Sequence, residues 1–163
     1  MFELILPSYH FALMYTKKLV DGVPDEKWTA QPVPGVTMNH AAWTVGHLAW
    51  ANDNMLRRLK RTPALDETWR ANFAMGTKPL PDRSAYPPAE VLLREFEAAH
   101  HRLAEAVAAT PPEVFAAAPE EERMRLRFPT IGHLAAGLMS AHYASHNGQL
   151  SAWRRAMGFP SAF

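Results

Sequence analysis

The chain has 163 residues, eight histidines, no cysteine and a formal net charge of +1 at neutral pH. This length suits a single domain, residues 1–163, with an ordinary hydrophobic core. The lack of cysteine excludes a disulfide framework, a thiolate metal site and a cysteine nucleophile, so histidine, aspartate and glutamate are the candidate metal ligands. A charge near zero gives no electrostatic footprint for nucleic acid, and no apolar run approaches the roughly 20 residues of a membrane span. The N-terminal segment has no signal-peptide pattern, so a cytoplasmic protein is expected.

Apolar residues at helical spacing predict four long helices. Their predicted bounds are Phe2–Val20, Thr37–Arg61, Pro88–Thr110 and Thr130–Gly158. Thr37 and Thr130 are the expected N-caps, because a threonine hydroxyl can accept a hydrogen bond from the first helical turn. Pro88 suits the start of the third helix, and Gly158 is the stop signal of the fourth.

The connections between these helices are rich in proline and are predicted to be mostly irregular. Within residues 62–88, the segment Asp66–Gly76 could hold a short helix, and Pro111–Pro119 is expected to form a helical turn or connector. Residues 123–128 alternate charged and apolar side chains, which predicts an extended linker, with a short strand as the alternative. Trp28 is expected to anchor the core or to cover one end of the helices. With no strong strand candidate, the sequence predicts an all-α four-helix bundle with long connections.

His142 and His146 lie four residues apart in the fourth predicted helix. Side chains at this spacing have Cβ atoms about 5–6 Å apart, so two imidazoles can bind one metal ion without distorting the backbone. The same phase contains Ala135, Met139 and Gln149, which turns the pair toward the core. Two interpretations stay open: a metal site, or two histidines satisfied by ordinary hydrogen bonds.

His47 lies in an apolar stretch of the second predicted helix, about one turn from Trp43 and from Trp50. Burying an imidazole there without a partner would cost a few kcal/mol, so a partner is needed. A metal ion is one candidate, and a carboxylate or a carbonyl is the other. Together with the histidine pair, His47 would supply three nitrogen ligands and leave open coordination positions, the feature of catalytic metal sites.

Three other polar residues could belong to a pocket around these histidines. His40 shares a helical phase with His47, and His10 lies on the apolar stripe of the first predicted helix. Either could line a cavity or take part in ordinary packing. Gln149 could orient a metal ligand or a substrate, or it could join two helices by a hydrogen bond.

The remaining histidines give weaker indications. Glu97 and His100 have the Glu-x-x-His spacing of di-iron bundles, but the second copy and further glutamates that this chemistry needs are missing. This motif is therefore interpreted as chance. His133 should point away from His142, about 180° around the helix, and His101 falls outside the apolar stripe and should be solvated.

Several segments of the chain match a known family in combination. The second predicted helix contains Ala42-Trp-Thr-Val-Gly-His-Leu-Ala49, and the fourth contains His142-Tyr-Ala-Ser-His-Asn-Gly-Gln149 followed by Trp153-Arg-Arg155. The loop before the second helix contains Trp28-Thr-Ala-Gln-Pro32. Together these segments resemble the DinB-like superfamily of metalloenzymes, which includes thiol-dependent transferases. The resemblance covers nearly the whole chain in length, helix order and motif placement.

The resemblance implies a four-helix bundle that holds one divalent metal ion through His47, His142 and His146. Nickel or zinc would be the typical ion, with iron or manganese as alternatives. It also implies a homodimer and a small-molecule substrate, for example a low-molecular-weight thiol such as bacillithiol or mycothiol. The fold and the metal site transfer well between relatives, whereas the reaction transfers poorly.

These expectations lead to three hypotheses about function. The first is a metal-dependent enzyme in which an external thiol binds at an open metal position and attacks an electrophilic small molecule. A metal-dependent hydrolase is a variant that ranks lower, because no carboxylate lies in phase to act as its base. The second is a non-catalytic, metal- or small-ligand-binding stress-response protein. The third is a structural bundle in which the histidines are simply packed.

Overall fold

The computed structural model describes residues 2–162, which are helical with irregular connections and contain no β-strand. The predicted all-α class is thus confirmed. The α-helices in this range are α1 Leu6–Val20, α2 Ala41–Arg58, α3 Glu67–Phe73, α4 Ala89–Ala109, α5 Pro112–Ala116, α6 Glu122–Arg125, α7 Ile131–Gly137 and α8 Tyr143–Ala156. A π-helical segment, Leu138–His142, joins α7 to α8 without a break. Short 3₁₀ turns occur at Asp25–Lys27 and Arg83–Ala85.

The longest helices pack on one another through their apolar faces. α2 makes its most extensive contacts with α4, and α1 makes its most extensive contacts with α8. α1 also contacts α4, and α2 also contacts α8. The predicted apolar stripe of α4 is confirmed, since Leu92, Phe96, Leu103 and Val107 are all buried. No helix among residues 2–162 has both the length and the apolar character needed to cross a bilayer.

The start of α2 differs from the prediction that placed its N-cap at Thr37. The chain stays irregular up to His40, which has extended backbone angles and acts as the N-cap. The Nδ1 atom of His40 accepts a hydrogen bond from the backbone N–H of Trp43, at 3.2 Å. A neutral imidazole thus does what the threonine hydroxyl was expected to do, and α2 begins at Ala41 and ends at Arg58.

The segment predicted to be extended, residues 123–128, instead begins with the helical turn α6. The backbone N–H of Phe128 donates to the carbonyl of Met124, and the side chain of Arg125 folds back onto the carbonyls of Pro119 and Glu120. The prediction was wrong because alternation over six residues has no meaning without a neighbouring strand to pair with. The short helix predicted within Asp66–Gly76 is confirmed as α3, with Asp66 as its N-cap.

Polar side chains of α8 fix this helix against α1. Arg154 is buried and donates hydrogen bonds to the carbonyls of Leu19 and Asp21, which lie at the end of α1. Two turns earlier on the same face, the amide oxygen of Asn147 accepts a hydrogen bond from the hydroxyl of Thr16, at 2.7 Å. These contacts satisfy carbonyls that the end of a helix leaves free, and they set the position of α8 along α1.

Two tryptophans anchor the loop that precedes α2. Trp28 is almost fully buried, which fits a core anchor, and its indole N–H donates to the carbonyl of Val23. The indole of Trp153 in α8 donates to the carbonyl of Ala30, at 2.8 Å. The loop is therefore held against α8 near the start of α2.

Candidate metal centre

Three imidazoles from different parts of the chain converge between α2 and α8. His47 lies in α2, His142 is the last residue of the π-helical segment, and His146 lies in the first turn of α8. Each offers one ligand atom, and these three atoms all lie within 4.8 Å of one another. The Nε2 atoms of His47 and His142 are 3.1 Å apart. Two nitrogens that bind one zinc ion at about 2.1 Å lie roughly 3.0–3.4 Å apart for angles between 90° and the tetrahedral value, so the spacing fits a shared ion.

A backbone carbonyl fixes the orientation of His47. Its Nδ1–H donates to the carbonyl oxygen of Phe73, the last residue of α3, at 2.7 Å. This bond places the proton on Nδ1 and leaves the lone pair of Nε2 directed toward His142. The sequence left open whether the partner of His47 is a metal ion, a carboxylate or a carbonyl, and the structure supplies a carbonyl on one nitrogen.

Gly46 permits this hydrogen bond. The ring of Phe73 packs so closely on α2 that a Cβ atom at position 46 would overlap it. Because Gly46 has no side chain, α3 can approach α2 and bring the Phe73 carbonyl to His47. A glycine next to a buried histidine was the one local signal for this approach.

Two tryptophans lie beside His47. The ring of Trp43 stacks on the imidazole, with centroids 4.7 Å apart and planes 7° apart, and its indole N–H donates to the hydroxyl of Thr77. The ring of Trp50 lies 6.1 Å from that of His47. Met139 is buried in the π-helical segment. The surroundings of His47 are therefore largely apolar.

Burial lowers the pKa of each histidine in this group. The pKa of His47 lies below its usual value because the side chain is buried, and the Phe73 carbonyl opposes this shift. Burial lowers the pKa of His142 to about 4, and the neighbouring His47 adds to the shift. Burial lowers the pKa of His146 to about 3, with contributions from both other imidazoles, while the side chain of Gln149 opposes it. All three are neutral at pH 7, which is the form that binds metal.

Two nitrogens of this group lack a hydrogen-bond partner within the part of the chain that the structure describes. They are the buried Nδ1 atoms of His142 and His146. The Nε2 atom of His142 faces His47, so its Nδ1 atom points away from a shared ion and would carry the proton when Nε2 binds that ion. Within residues 2–162, the group consists of three neutral imidazoles and contains no carboxylate. Such a donor set suits zinc or nickel.

The other predicted pocket residues take different positions. The amide oxygen of Gln149 accepts a hydrogen bond from Asn39, at 2.9 Å, so Gln149 joins α8 to the loop before α2. His40 donates through Nε2 to the carbonyl of Leu80, in addition to capping α2. The structure brings neither His40 nor His10 into hydrogen-bond contact with the three converging histidines; His10 lies against α4.

A cavity of about 480 Å³ opens beside Trp50, a feature that the sequence did not predict. It lies between the end of α2, helix α3 and the segment around α6, and its surface is strongly charged. Trp50 forms part of its wall, and so do Ala74 and Met75, which directly follow Phe73. The three converging histidines do not line the cavity, and Trp50, whose ring lies 6.1 Å from that of His47, connects its wall to the histidine group.

The sequence comparison agrees with this arrangement of residues. A family model described as the DinB superfamily matches residues 8–150, which include all three converging histidines. Searches of curated proteins and of solved structures returned no match. Because the match covers most of the chain, the chain belongs to the DinB superfamily.

Proposed function

We propose that this protein is a metal-dependent enzyme that binds one divalent ion through His47, His142 and His146. The observation that carries the proposal is the convergence of three neutral imidazoles, whose ligand atoms all lie within 4.8 Å of one another. We also propose that the four long helical segments form one four-helix bundle and a single domain. The contacts of α1 with α4 and α8, and of α2 with the same two helices, support that arrangement.

The residues around the histidines would prepare the site for such an ion. A divalent cation lowers the pKa of a thiol or a water molecule that it binds, which supplies a nucleophile that this cysteine-free chain lacks. The Phe73 carbonyl holds His47 in one tautomer and one orientation. The stacked ring of Trp43 limits the movement of the His47 imidazole and excludes water from one of its faces.

We propose that the cavity beside Trp50 takes a small substrate that carries a negative charge. Each acidic side chain on its wall already has a partner: Asp53 with Arg102, Asp66 with backbone N–H groups, Glu67 with Arg70, Glu120 with Lys60 and Glu121 with Arg58. Among the described residues, no hydrogen bond or ion pair engages the side chains of Arg57 and Arg123, which line the same cavity. Asp66 has no cation as its partner, so two unpaired arginines face one unpaired carboxylate, and the excess is one positive charge. A volume of about 480 Å³ is within the range of small-molecule sites.

These features favour a thiol-dependent transferase that uses an anionic low-molecular-weight thiol or an anionic electrophile. A metal-dependent hydrolase is less well supported, because the histidine group contains no carboxylate within residues 2–162 that could act as a base. The same observation gives some support to a non-catalytic protein that binds a metal ion or a small ligand. Turnover of a thiol with an electrophile would distinguish the thiol-dependent transferase from the hydrolase and from the non-catalytic protein.

Metal content tests the site itself. The untagged protein should contain about one zinc or nickel ion that is lost in both His47→Ala and His142→Ala/His146→Ala, as measured by mass spectrometry of the metals. His133→Ala is the matched control, because this exposed imidazole contacts the Thr130 hydroxyl and lies outside the histidine group. Failure to bind tightly any of zinc, nickel, iron or manganese, with no difference between wild type and the His47 variant, would remove the basis of the proposal.

Kinetics test the cavity. If a thiol and electrophile pair is found, Arg57→Gln should raise KM about tenfold while kcat and metal content stay near their wild-type values, because only binding of the charged substrate is weakened. An unchanged KM would place the substrate elsewhere. The homodimer implied by the family resemblance stays a prediction, which light scattering of the purified protein can check.

A further inference from the structure

A second pair of imidazoles meets where α1 packs against α4. The Nδ1 atom of His10 lies 3.0 Å from Nε2 of His100, and their ring centroids are 5.2 Å apart. The corresponding values for His47 and His142 are 3.1 Å and 5.2 Å. The two pairs therefore have nearly the same spacing between their nitrogens and between their rings.

We propose that His10 and His100 form a second site for a divalent transition-metal ion, with His101 as the third ligand. The ring of His101 lies 5.6 Å from that of His100 and 6.3 Å from that of His10. His101 is exposed, so its side chain has room to adopt another rotamer that turns a nitrogen toward an ion held by the other two. An all-imidazole donor set selects zinc, nickel or copper over magnesium or calcium.

The two principal ligands differ in burial, and the difference suits a site at the surface. His100 is fully buried and stacks on Tyr9, with ring centroids 3.7 Å apart and planes 15° apart. This contact fixes the orientation of its imidazole. His10 is exposed, so an ion can enter from solvent and keep water molecules as its remaining ligands.

A hydrogen-bonded partner behind His100 can hold the tautomer that metal binding needs. The Nδ1 atom of His100 lies 3.2 Å from the hydroxyl of Tyr143, which accepts a hydrogen bond from the amide of Asn52 at 2.7 Å. Binding of an ion at Nε2 places the proton on Nδ1, which then donates to the Tyr143 oxygen. The Tyr143 hydroxyl can in turn donate to Oδ1 of Asn52 after rotation of the amide. That oxygen is buried, and no group of the described chain bonds to it.

Charge around the pair also permits binding of a cation. Burial keeps the His100 imidazole neutral at pH 7, with a pKa of about 3, and the nearby His10 and His101 add to that shift. Glu97, one turn before His101, forms an ion pair with Lys17 at 2.9 Å, so this carboxylate is engaged by another cation. The proposed ligands are thus imidazoles alone. The inference does not depend on the function proposed above, because the two sites share no residue.

Equilibrium dialysis of metal-free, untagged protein against increasing concentrations of free zinc tests the proposal. We expect two ions per chain in the wild type, one in His10→Gln, one in His47→Ala and none in the double variant. His133→Gln, which removes an exposed imidazole outside both sites, should still bind two ions. His101→Gln should weaken the same ion that His10→Gln removes, by about tenfold.

Three results would overturn the proposal. The first is saturation of the wild type at a single ion that His47→Ala abolishes. The second is unchanged binding of both ions in His10→Gln, with His10→Asn as a second variant at this exposed position. The third is an equal loss in His133→Gln, which would mean non-specific binding to surface histidines. An unchanged melting temperature of metal-free His10→Gln verifies that the variant is folded.

Discussion

The histidine group between α2 and α8 and the histidine pair between α1 and α4 have nearly equal nitrogen distances, 3.1 and 3.0 Å, but different surroundings. In the first, three imidazoles converge beside Trp43, and two buried nitrogens have no partner among residues 2–162. In the second, both nitrogens of His100 already have polar neighbours, the imidazole of His10 and the hydroxyl of Tyr143. The distance between two nitrogens is therefore nearly the same at both sites, and the number of imidazoles already in place distinguishes them. Three ligand atoms lie within 4.8 Å of one another at the first site, whereas two nitrogens are in contact at the second.

This difference predicts the order in which the sites lose metal. The zinc ion held by His47, His142 and His146 should bind at least about 100-fold more tightly than the ion at His10 and His100. Loss of even an outer hydrogen-bond partner of a ligand costs about 10–100-fold in affinity, and the second site has one exposed, movable ligand. Competition with a graded series of chelators measures both constants. Equal zinc affinities at the two sites would show that the convergence and burial of the ligands contribute little to zinc binding.

Acidification tests a property that the two sites share, namely buried imidazoles whose pKa is lowered. Burial lowers the pKa of His100 to about 3, whereas an unfolded histidine titrates near 6.5. Between these values the unfolded chain binds the additional proton, so the free energy of unfolding falls as the pH falls. The slope for one such group is about 1.4 kcal/mol per pH unit.

Metal-free His100→Gln should therefore lose stability less steeply than the wild type between pH 6 and pH 4, and denaturant unfolding at several pH values measures this. His47→Gln should behave similarly, since burial also lowers the pKa of His47. If the free energy of unfolding depended on pH equally in the wild type and in both variants, burial of these histidines would not be the cause of the loss of stability in acid.

Gly46→Ala should damage only the site between α2 and α8. The new methyl group would overlap the ring of Phe73 and move its carbonyl away from His47. We expect a loss of about 2 kcal/mol in the free energy of unfolding and weaker zinc binding at that site alone. Gly148→Ala is the matched control, because its Cβ would meet nothing within 4 Å and alanine favours the helix. A Gly46 variant as stable as the wild type would mean that α3 shifts without cost.

The smallest effect is expected for Glu97→Gln, beside the pair between α1 and α4. Glu97 and Lys17 are each 43% exposed, and surface ion pairs contribute about 0–1 kcal/mol. The variant should have nearly wild-type stability and unchanged zinc affinity at His10 and His100. A clear loss of zinc affinity would make the carboxylate a ligand and would revive the Glu-x-x-His motif that the sequence presented at residues 97–100.

The parts of the candidate metal centre that could be predicted from sequence are those set by local geometry. The four-residue spacing of His142 and His146 is a property of one helix, and the apolar neighbours of His47 showed that this residue would be buried. The cap at Thr130 was also predictable, and its hydroxyl does accept from the backbone N–H of His133. Each of these features depends on residues within a few positions of one another.

The parts that could not be predicted depend on how distant segments pack. Phe73 lies 26 residues from the histidine whose orientation it fixes, in a helix of seven residues with no distinctive pattern. His10 and His100 are 90 residues apart, so their contact follows from the packing of α1 on α4 and from nothing near either residue. His40 was placed by phase within a helix that in fact begins after it.

The π-helical segment Leu138–His142 has a consequence for how this helix tolerates change in length. A π turn holds one residue more than an α turn, so it amounts to a one-residue insertion absorbed inside a continuous helix. Because the π turn absorbs the additional residue, α7 and α8 keep the relative orientation of an uninterrupted helix that is one residue shorter. Deleting a single residue between Leu138 and Ala141 would therefore restore α-helical geometry, while α7 keeps its packing and His142 and His146 keep their direction toward His47. The same deletion in a regular α-helical part would instead rotate the two flanking parts by about 100° relative to each other. The π-helical segment thus makes this stretch of the helix tolerant of the loss of one residue.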